Sequence, residues 1–201
     1  LDLYGGHAVI SIGHGHPHYI KKIKDQLDNI GFYSNAIQNP LQQELADGIG
    51  YQSCCHDYQL FLCSSGAEAI ENALKLASFH TDKKRIIAFK NAFHGRTSAA
   101  VAATDNPNIN APLNKQQAVT FIEFNDAKSL EEELQKGDVC AVIFESIQGV
   151  GGLDQPTDDF VLEMNRLCKH YNSCLIADEV QSGFGRTGTF FAYQKYAIEP
   201  D

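Results

Sequence analysis

Short apolar runs alternate with helical patterns along this chain, and no other feature of the sequence limits the fold as strongly. The runs rich in β-branched and aromatic residues cover residues 58–63, 85–90, 118–124, 139–144 and 173–177. Runs such as 139–144 are continuously apolar, which is typical of parallel strands that are covered on both faces. The alternation predicts an α/β fold with a mainly parallel, doubly wound sheet and helices on both of its faces.

Apolar residues recur at helical spacing between most of these runs and also upstream of them. Helices are predicted around residues 67–77, 126–136 and 158–171 in the sheet region, and over 17–30 and 40–49 before it. Residues 105–117, with two prolines and four asparagines, form the one long loop in this interpretation. We therefore expect an N-terminal segment over residues 1–50, whose helices flank a large domain over residues 51–201.

The charge and the cysteine content exclude several classes of protein. The 201 residues hold 25 Asp and Glu against 16 Lys and Arg, which gives a net charge of −9. This acidic excess argues against a surface for nucleic acid or anionic membranes, because phosphates are bound by clustered cations. No apolar run reaches the roughly 20 residues of a membrane span. The six cysteines show no CxxC spacing, which favours a reducing, cytoplasmic compartment.

The first candidate site lies where a predicted strand meets a helix, at residues 63–69 (CSSGAEA). Ser65 with Glu68 three residues later has the spacing of a capping box, which is a purely structural interpretation. Capping does not require the small residues Gly66 and Ala67, which let a ligand approach the free N–H groups of a helix N-terminus. The segment therefore also indicates a phosphate-binding site, although no GKS or GKT of a P-loop follows.

Two further candidates follow other predicted strands. Residues 91–97 place an aromatic ring, a histidine and an arginine next to a glycine, at Phe93, His94 and Arg96. Arg96 either pairs with a carboxylate or lies solvated in a surface loop. Asp178 follows the last apolar run, at the edge where open α/β sheets bind ligands. Asp178 is either a helix N-cap or a buried carboxylate that faces a cation, because burial without a partner is costly.

Three other patterns carry weaker signals. Residues 183–188 read GFGRTG, but a dinucleotide fingerprint needs glycines that open a helix directly, and here loop-like residues follow. The alternating histidines at residues 14–18 could bind a metal, yet Gly15 and Pro17 favour a turn that leads into a helix, so no metal site is predicted. A serine hydrolase is disfavoured because the sequence has no GxSxG elbow.

Together these candidates offer a helix N-terminus that can bind a phosphate, an aromatic face, an arginine that can bind a carboxylate, and a buried acid. Pyridoxal phosphate and its substrate need these groups. The sequence resembles the class III pyridoxal-phosphate-dependent aminotransferases of fold type I, in the branch that acts on N-acylated ornithines. The resemblance runs through six segments in family order, at residues 3–6 (LYGG), 13–17 (GHGHP), 65–69 (SGAEA), 92–97 (AFHGRT), 145–149 (ESIQG) and 178–188 (DEVQSGFGRTG). It implies a homodimer whose active site lies at the subunit interface.

The resemblance implies a role for each matching residue. Phe93 would stack on the cofactor ring, Asp178 would pair with the pyridine nitrogen, and Arg96 would hold the substrate α-carboxylate. The implied cofactor-binding residues are Ser65, Gly66, Ala67, Phe93, Asp178, Val180 and Gln181, and the implied substrate-binding residues are Arg96 and Glu145. The implied reaction moves the distal amino group of an acetyl- or succinyl-ornithine to 2-oxoglutarate in arginine metabolism.

The sequence departs from the family pattern in three respects. Ser146 replaces a proline, and Val150 replaces a glutamate that can neutralise an arginine in relatives. The chain begins without Met and ends at Asp201 before the family's Schiff-base lysine, so we expect a piece of a longer protein. Neither Lys90 nor Lys195 lies in the context of that lysine. The alternatives left open are an ornithine or 4-aminobutyrate ω-aminotransferase, a dinucleotide-binding oxidoreductase and a non-catalytic relative.

Overall fold

The computed structural model describes residues 1–201 except residues 32, 33, 35, 36 and 38. The chain divides into two compact units, Leu1–Leu60 and Phe61–Asp201. No helix among the described residues combines the length and the apolar character that crossing a bilayer requires.

The first unit is built from helices. Its elements are a short helical turn, α1 (Gly5–Ala8), followed by α2 (Pro17–Asn29) and α3 (Pro40–Ser53). A proline occupies the first turn of both longer helices, where its missing N–H costs nothing. Asn39 also caps α3 by accepting a hydrogen bond from the N–H of Leu41 at 3.0 Å. Both predicted upstream helices are confirmed, and α3 continues four residues beyond the predicted end at residue 49.

The second unit is a parallel α/β domain. Its strands are β1 (Arg85–Phe89), β2 (Val119–Ile122), β3 (Val139–Glu145) and β4 (Cys174–Asp178), in the spatial order β2-β1-β3-β4 with every neighbouring pair parallel. The helices are α4 (Gly66–Thr81), α5 (Ser98–Ala102), α6 (Ala127–Leu134) and α7 (Asp158–His170), with 3₁₀ turns at Pro112–Asn114 and Ala192–Tyr196. The predicted parallel, doubly wound fold is therefore confirmed.

Helices cover both faces of the sheet, as the continuously apolar strands require. On one face, α4 buries Ile70 and Leu74 in a core that includes Ile86 of β1. On the other face, Phe89 at the end of β1 lies against Phe160 of α7, with ring centroids 5.8 Å apart. Because neighbouring residues of a strand point to opposite faces, burial on both sides demands apolar residues at every position.

The predicted strand at residues 58–63 is wrong. These residues precede α4 without regular secondary structure and pair with no strand of the described chain. Phe61 and Leu62 are 59% and 48% exposed. Apolar character alone does not make a strand, because the backbone N–H and C=O groups must also form hydrogen bonds with a neighbouring strand.

The edge of the sheet at the strand N-termini is held by an ion-pair network around Arg85, the first residue of β1. Its side chain is 11% exposed, and its guanidinium pairs with Glu133 and Asp138 at 2.7 Å each. It also donates a hydrogen bond to Thr120 Oγ1 at 2.9 Å. The hydrogen bond with Arg85 lowers the pKa of Asp138. The network joins β1, β2 and α6.

Replacement of Arg85 with methionine is expected to lower the free energy of unfolding by about 2 kcal/mol, because partly buried acceptors lose their charged donor. Urea denaturation measures the change. Arg166→Met is the matched control, since Arg166 is exposed and pairs with Glu163 inside α7, where a surface ion pair contributes little. Equal destabilisation of the two variants would contradict a structural role for the network.

Candidate active site

The strand order reverses between β1 and β3, and the candidate site lies at the carboxyl ends of these strands. From β1 the chain passes to β2 on one side, whereas β3 and β4 lie on the other side. In open parallel sheets this reversal leaves a crevice where ligands bind. Phe93 lies in the segment that follows β1, whereas Glu145 and Asp178 are the last residues of β3 and β4. Three of the segments predicted to carry chemistry therefore share one edge of the sheet.

The sequence predicted a helix N-cap at Ser65, and the N-terminus of α4 forms there a cradle of small residues, Ser65, Gly66 and Ala67. Ser65 is the N-cap, and its Oγ accepts a hydrogen bond from the N–H of Glu68 at 3.2 Å. The Glu68 carboxylate accepts in return from the N–H of Ser64 at 2.9 Å. The N–H groups of Gly66 and Ala67 have no acceptor within the helix, because no earlier helical turn supplies carbonyl groups to the first turn. Two helix N–H groups thus remain for an anion.

Close contacts join this cradle to the segments that follow β1 and β4. A Cβ atom on Gly66 would lie 2.7 Å from Val180 Cγ1, so Val180 packs directly on the Gly66 backbone. A Cβ atom on Gly95 would lie 2.8 Å from the Cβ of Ala67, and Gly95 has a φ of +139°. Only glycine therefore allows these three segments to approach so closely.

Asp178, the last residue of β4, is buried and held by two hydrogen bonds. Its Oδ2 lies 2.7 Å from Nδ1 of His94, and its Oδ1 accepts from the N–H of Val180 at 3.0 Å. The His94 ring is fully buried, and its Nε2 has no hydrogen-bond partner among the described residues. A serine–histidine–aspartate hydrolase would need a hydroxyl at that nitrogen. Asp178 is thus an oriented carboxylate, and it caps no helix.

Glu145 ends β3 directly beside Asp178, with which it is in register. Its Oε1 accepts a hydrogen bond from the N–H of Phe93 at 3.0 Å, and its Oε2 accepts from the N–H of Gly149 at 3.4 Å. Burial raises the pKa of Glu145 to about 7, although these hydrogen bonds and the neighbouring His94 favour the charged form. Glu145 is 6% exposed.

The remaining predicted residues surround these carboxyl groups. Phe93 is half-buried, and the side chain of Gln181 lies against the Gly149 backbone, where a Cβ atom would collide with its Oε1. Arg96 is exposed and forms no ion pair with any acid of the described residues. Arg96 is therefore available to a carboxylate ligand.

The half-buried acid Glu179, next to Asp178, has a structural function that the sequence did not reveal. Glu179 accepts hydrogen bonds from the N–H groups of Ala192 and Tyr193 at 2.9 and 2.8 Å, and from the hydroxyl of Ser182 at 2.9 Å. Burial raises its pKa. Glu179 therefore anchors the loop that contains residues 183–188. The two backbone donors lie 13 and 14 residues away, a separation that no local motif signals.

The weaker sequence patterns have structural explanations. Residues 183–188 form successive turns and do not open a helix, unlike a dinucleotide fingerprint. The histidine-rich segment is a turn that leads into α2 at Pro17, as predicted, and His14 pairs with Asp2 at 2.8 Å. Within the described ranges, no three His, Cys, Asp or Glu side chains are grouped as a metal ion would require.

Comparisons with known proteins show the family of this chain. The whole chain, residues 1–201, matches the aminotransferase class-III family. It is 42% identical to acetylornithine aminotransferase of Bacillus cereus and 40% identical to that of Archaeoglobus fulgidus. Both alignments cover 100% of the chain but only 52% and 53% of those proteins, so the chain spans about half of their length.

Solved structures show the same fold. Ornithine aminotransferase of Toxoplasma gondii superimposes with a TM-score of 0.87 at 29% identity, over 98% of this chain and 49% of that protein. A pyridoxal-phosphate-bound amine transaminase from an uncultivated Pseudomonas species has a TM-score of 0.90 at 24% identity, over 100% of this chain and 52% of that protein, which shows the fold alone. The family match and the identity to curated relatives show that this chain belongs to the class III aminotransferases.

Proposed function

We propose that the protein is a pyridoxal-phosphate-dependent aminotransferase that transfers the distal amino group of an N-acylated ornithine to 2-oxoglutarate. One observation carries the proposal. The N-terminus of α4, where N–H groups can bind an anion, lies against the segments that hold the buried Asp178–His94 pair at one edge of the sheet. The relatives named acetylornithine aminotransferase support this substrate class.

The residues at the site fit pyridoxal phosphate. The N–H groups of Gly66 and Ala67, with the Ser65 hydroxyl beside them, would hold the phosphate. Phe93 offers an aromatic face, and Asp178 offers a carboxylate for the pyridine nitrogen. When bound, the cofactor supplies an electron-withdrawing ring that stabilises negative charge on the substrate carbon.

The chain's own residues would orient the cofactor and the substrate. Asp178 would keep the ring nitrogen protonated, because a buried carboxylate favours a nearby cation. His94 would hold Asp178 in that orientation through its Nδ1–H, and Val180 and Gln181 would help to hold the cofactor. Arg96 would bind the α-carboxylate through bidentate hydrogen bonds. The family resemblance also implies a substrate-binding role for Glu145.

Several features of the whole protein belong to this proposal. We assign residues 51–201 to the cofactor-binding domain, and we place the enzyme in the cytoplasm, in arginine metabolism, as a homodimer with a shared active site. A second candidate is an ω-aminotransferase for ornithine itself or for 4-aminobutyrate. The structural similarity to the ornithine aminotransferase of Toxoplasma gondii favours the first of these two substrates.

The decisive experiment uses the protein expressed from its complete coding sequence. We expect it to absorb visible light when pyridoxal phosphate is added, and borohydride to fix the cofactor covalently. Acetylornithine, succinylornithine, ornithine and 4-aminobutyrate are then compared as amino donors by kcat/KM. A protein whose spectrum ignores the cofactor would contradict the proposal, and a preference for free ornithine would favour the second candidate.

The role of Arg96 has a separate test. Arg96→Ala is expected to raise KM for the amino donor by about 10- to 100-fold, because charge-assisted hydrogen bonds to a carboxylate are lost. Steady-state kinetics measures the change, and Arg166→Ala on α7 is the control. An unchanged KM in the Arg96 variant would remove this residue from the substrate site.

A further inference from the structure

Glu145 lies at the point where the strand order of the sheet reverses. It ends β3, the strand that neighbours β1 on one side and β4 on the other. The segment after β1 carries Phe93, and β4 ends at Asp178. The carboxyl group of Glu145 is therefore placed between the aromatic residue and the acid of the candidate site.

Both oxygens of Glu145 accept hydrogen bonds from backbone groups. The N–H of Phe93 donates to Oε1 at 3.0 Å, and the N–H of Gly149 donates to Oε2 at 3.4 Å. No lysine or arginine within the described ranges pairs with this carboxylate. The Glu145 side chain is 6% exposed, and both of its oxygens already accept backbone hydrogen bonds, so it offers a substrate little accessible surface.

These two hydrogen bonds connect separate parts of the site. The bond to Phe93 ties the backbone of the aromatic residue to β3, and the next residue, His94, orients Asp178. The bond to Gly149 fixes the turn against which the Gln181 side chain rests. One carboxyl group thus fixes the backbone on both sides of the crevice.

We propose that Glu145 is a positioning residue that holds the Phe93 backbone and the Gly149 turn in the geometry needed for cofactor binding, and that it does not contact the substrate. The proposal rests on the proposed function, and it replaces the substrate-binding role that the family resemblance implies for Glu145. Loss of the carboxyl group frees two backbone N–H groups inside the protein, so the Phe93 segment shifts to find other acceptors.

The test compares Glu145→Ala and Glu145→Gln with the wild type, using the protein expressed from its complete coding sequence. Glu145→Ala is expected to raise the dissociation constant for pyridoxal phosphate about 10-fold, and to change the visible circular dichroism of the bound cofactor. Glu145→Gln is expected to recover part of the affinity, because its amide oxygen still accepts from the N–H of Phe93. The Glu145→Gln variant keeps the test decisive if the alanine variant does not fold.

Glu179→Gln is the matched control. Glu179 is a half-buried acid that also accepts two backbone hydrogen bonds, but its donors, Ala192 and Tyr193, lie in the 3₁₀ turn Ala192–Tyr196. We expect this variant to lose stability in urea while its cofactor affinity and circular dichroism stay at wild-type values.

Two results would overturn the proposal. If the Glu145 variants raise KM for the amino donor while cofactor affinity and circular dichroism are unchanged, Glu145 binds the substrate. If they lose only stability, as Glu179→Gln does, Glu145 is merely structural. Failure of the wild type to bind the cofactor is a different outcome, which overturns the proposed function itself and with it this role.

Discussion

Replacement of Asp178 with asparagine is expected to lower kcat about 10²- to 10³-fold. The amide has nearly the same shape as the carboxylate but carries no charge, so it cannot keep a pyridine nitrogen protonated. The loss should be large because Asp178 is only 6% exposed, and charge interactions are poorly screened in such a site. Single-turnover and steady-state kinetics with the preferred amino donor measure the effect.

The control for this prediction is again Glu179→Gln, which neutralises the neighbouring acid. Glu179 caps the turn at Ala192–Tyr196, whereas Asp178 pairs with His94. Only the charge of Asp178 is therefore expected to affect kcat. If Asp178→Asn retained wild-type kcat, Asp178 would not be the partner of the pyridine nitrogen.

Replacement of Gly95 with alanine is expected to destabilise the protein by about 3 kcal/mol and to weaken cofactor binding more than 10-fold. Two costs add at this position. Its φ of +139° is unfavourable for any residue with a Cβ atom, and the new atom would lie 2.8 Å from the Cβ of Ala67 and 3.0 Å from its Cα. The first turn of α4 must move, and with it the N–H groups of the cradle.

Gly137→Ala separates the two costs. Gly137 has a φ of +78°, but a Cβ atom there would have no neighbour within 4 Å. It is expected to cost about 1 kcal/mol through backbone strain alone, with unchanged cofactor binding. Urea denaturation and cofactor titration are measured on both variants. Equal effects would contradict the contact between Gly95 and α4 as the source of the larger loss.

Most elements of the fold were predictable because their signals are local. Continuous apolar runs predicted β1, β2, β3 and β4 to within two residues at each end, and helical spacing predicted α4 and α7. The segment at residues 58–63 has the same apolar character, yet it is no strand. Pairing depends on what lies beside a segment in space, and the segment's own composition does not contain that information.

The sequence predicted the N-cap at Ser65 but not the contacts between the acids and their partners. The cap at Ser65 is confirmed because a capping box is defined by a three-residue spacing. The partners of the buried acids are not local, since His94 meets Asp178 across 84 positions and Phe93 meets Glu145 across 52. No periodicity or spacing rule connects such positions.

The sequence by itself determined the class of fold and the edge at which the site forms, because hydrophobic patterning specifies strands and helices, and parallel strands direct their following loops to one side. Only the tertiary structure decided what each acid does. Asp178 is paired with a buried histidine, Glu145 holds two backbone N–H groups, and Glu179 caps a distant turn. All three are carboxyl groups near strand ends, and the neighbours that distinguish them are brought together only by the packing of the sheet.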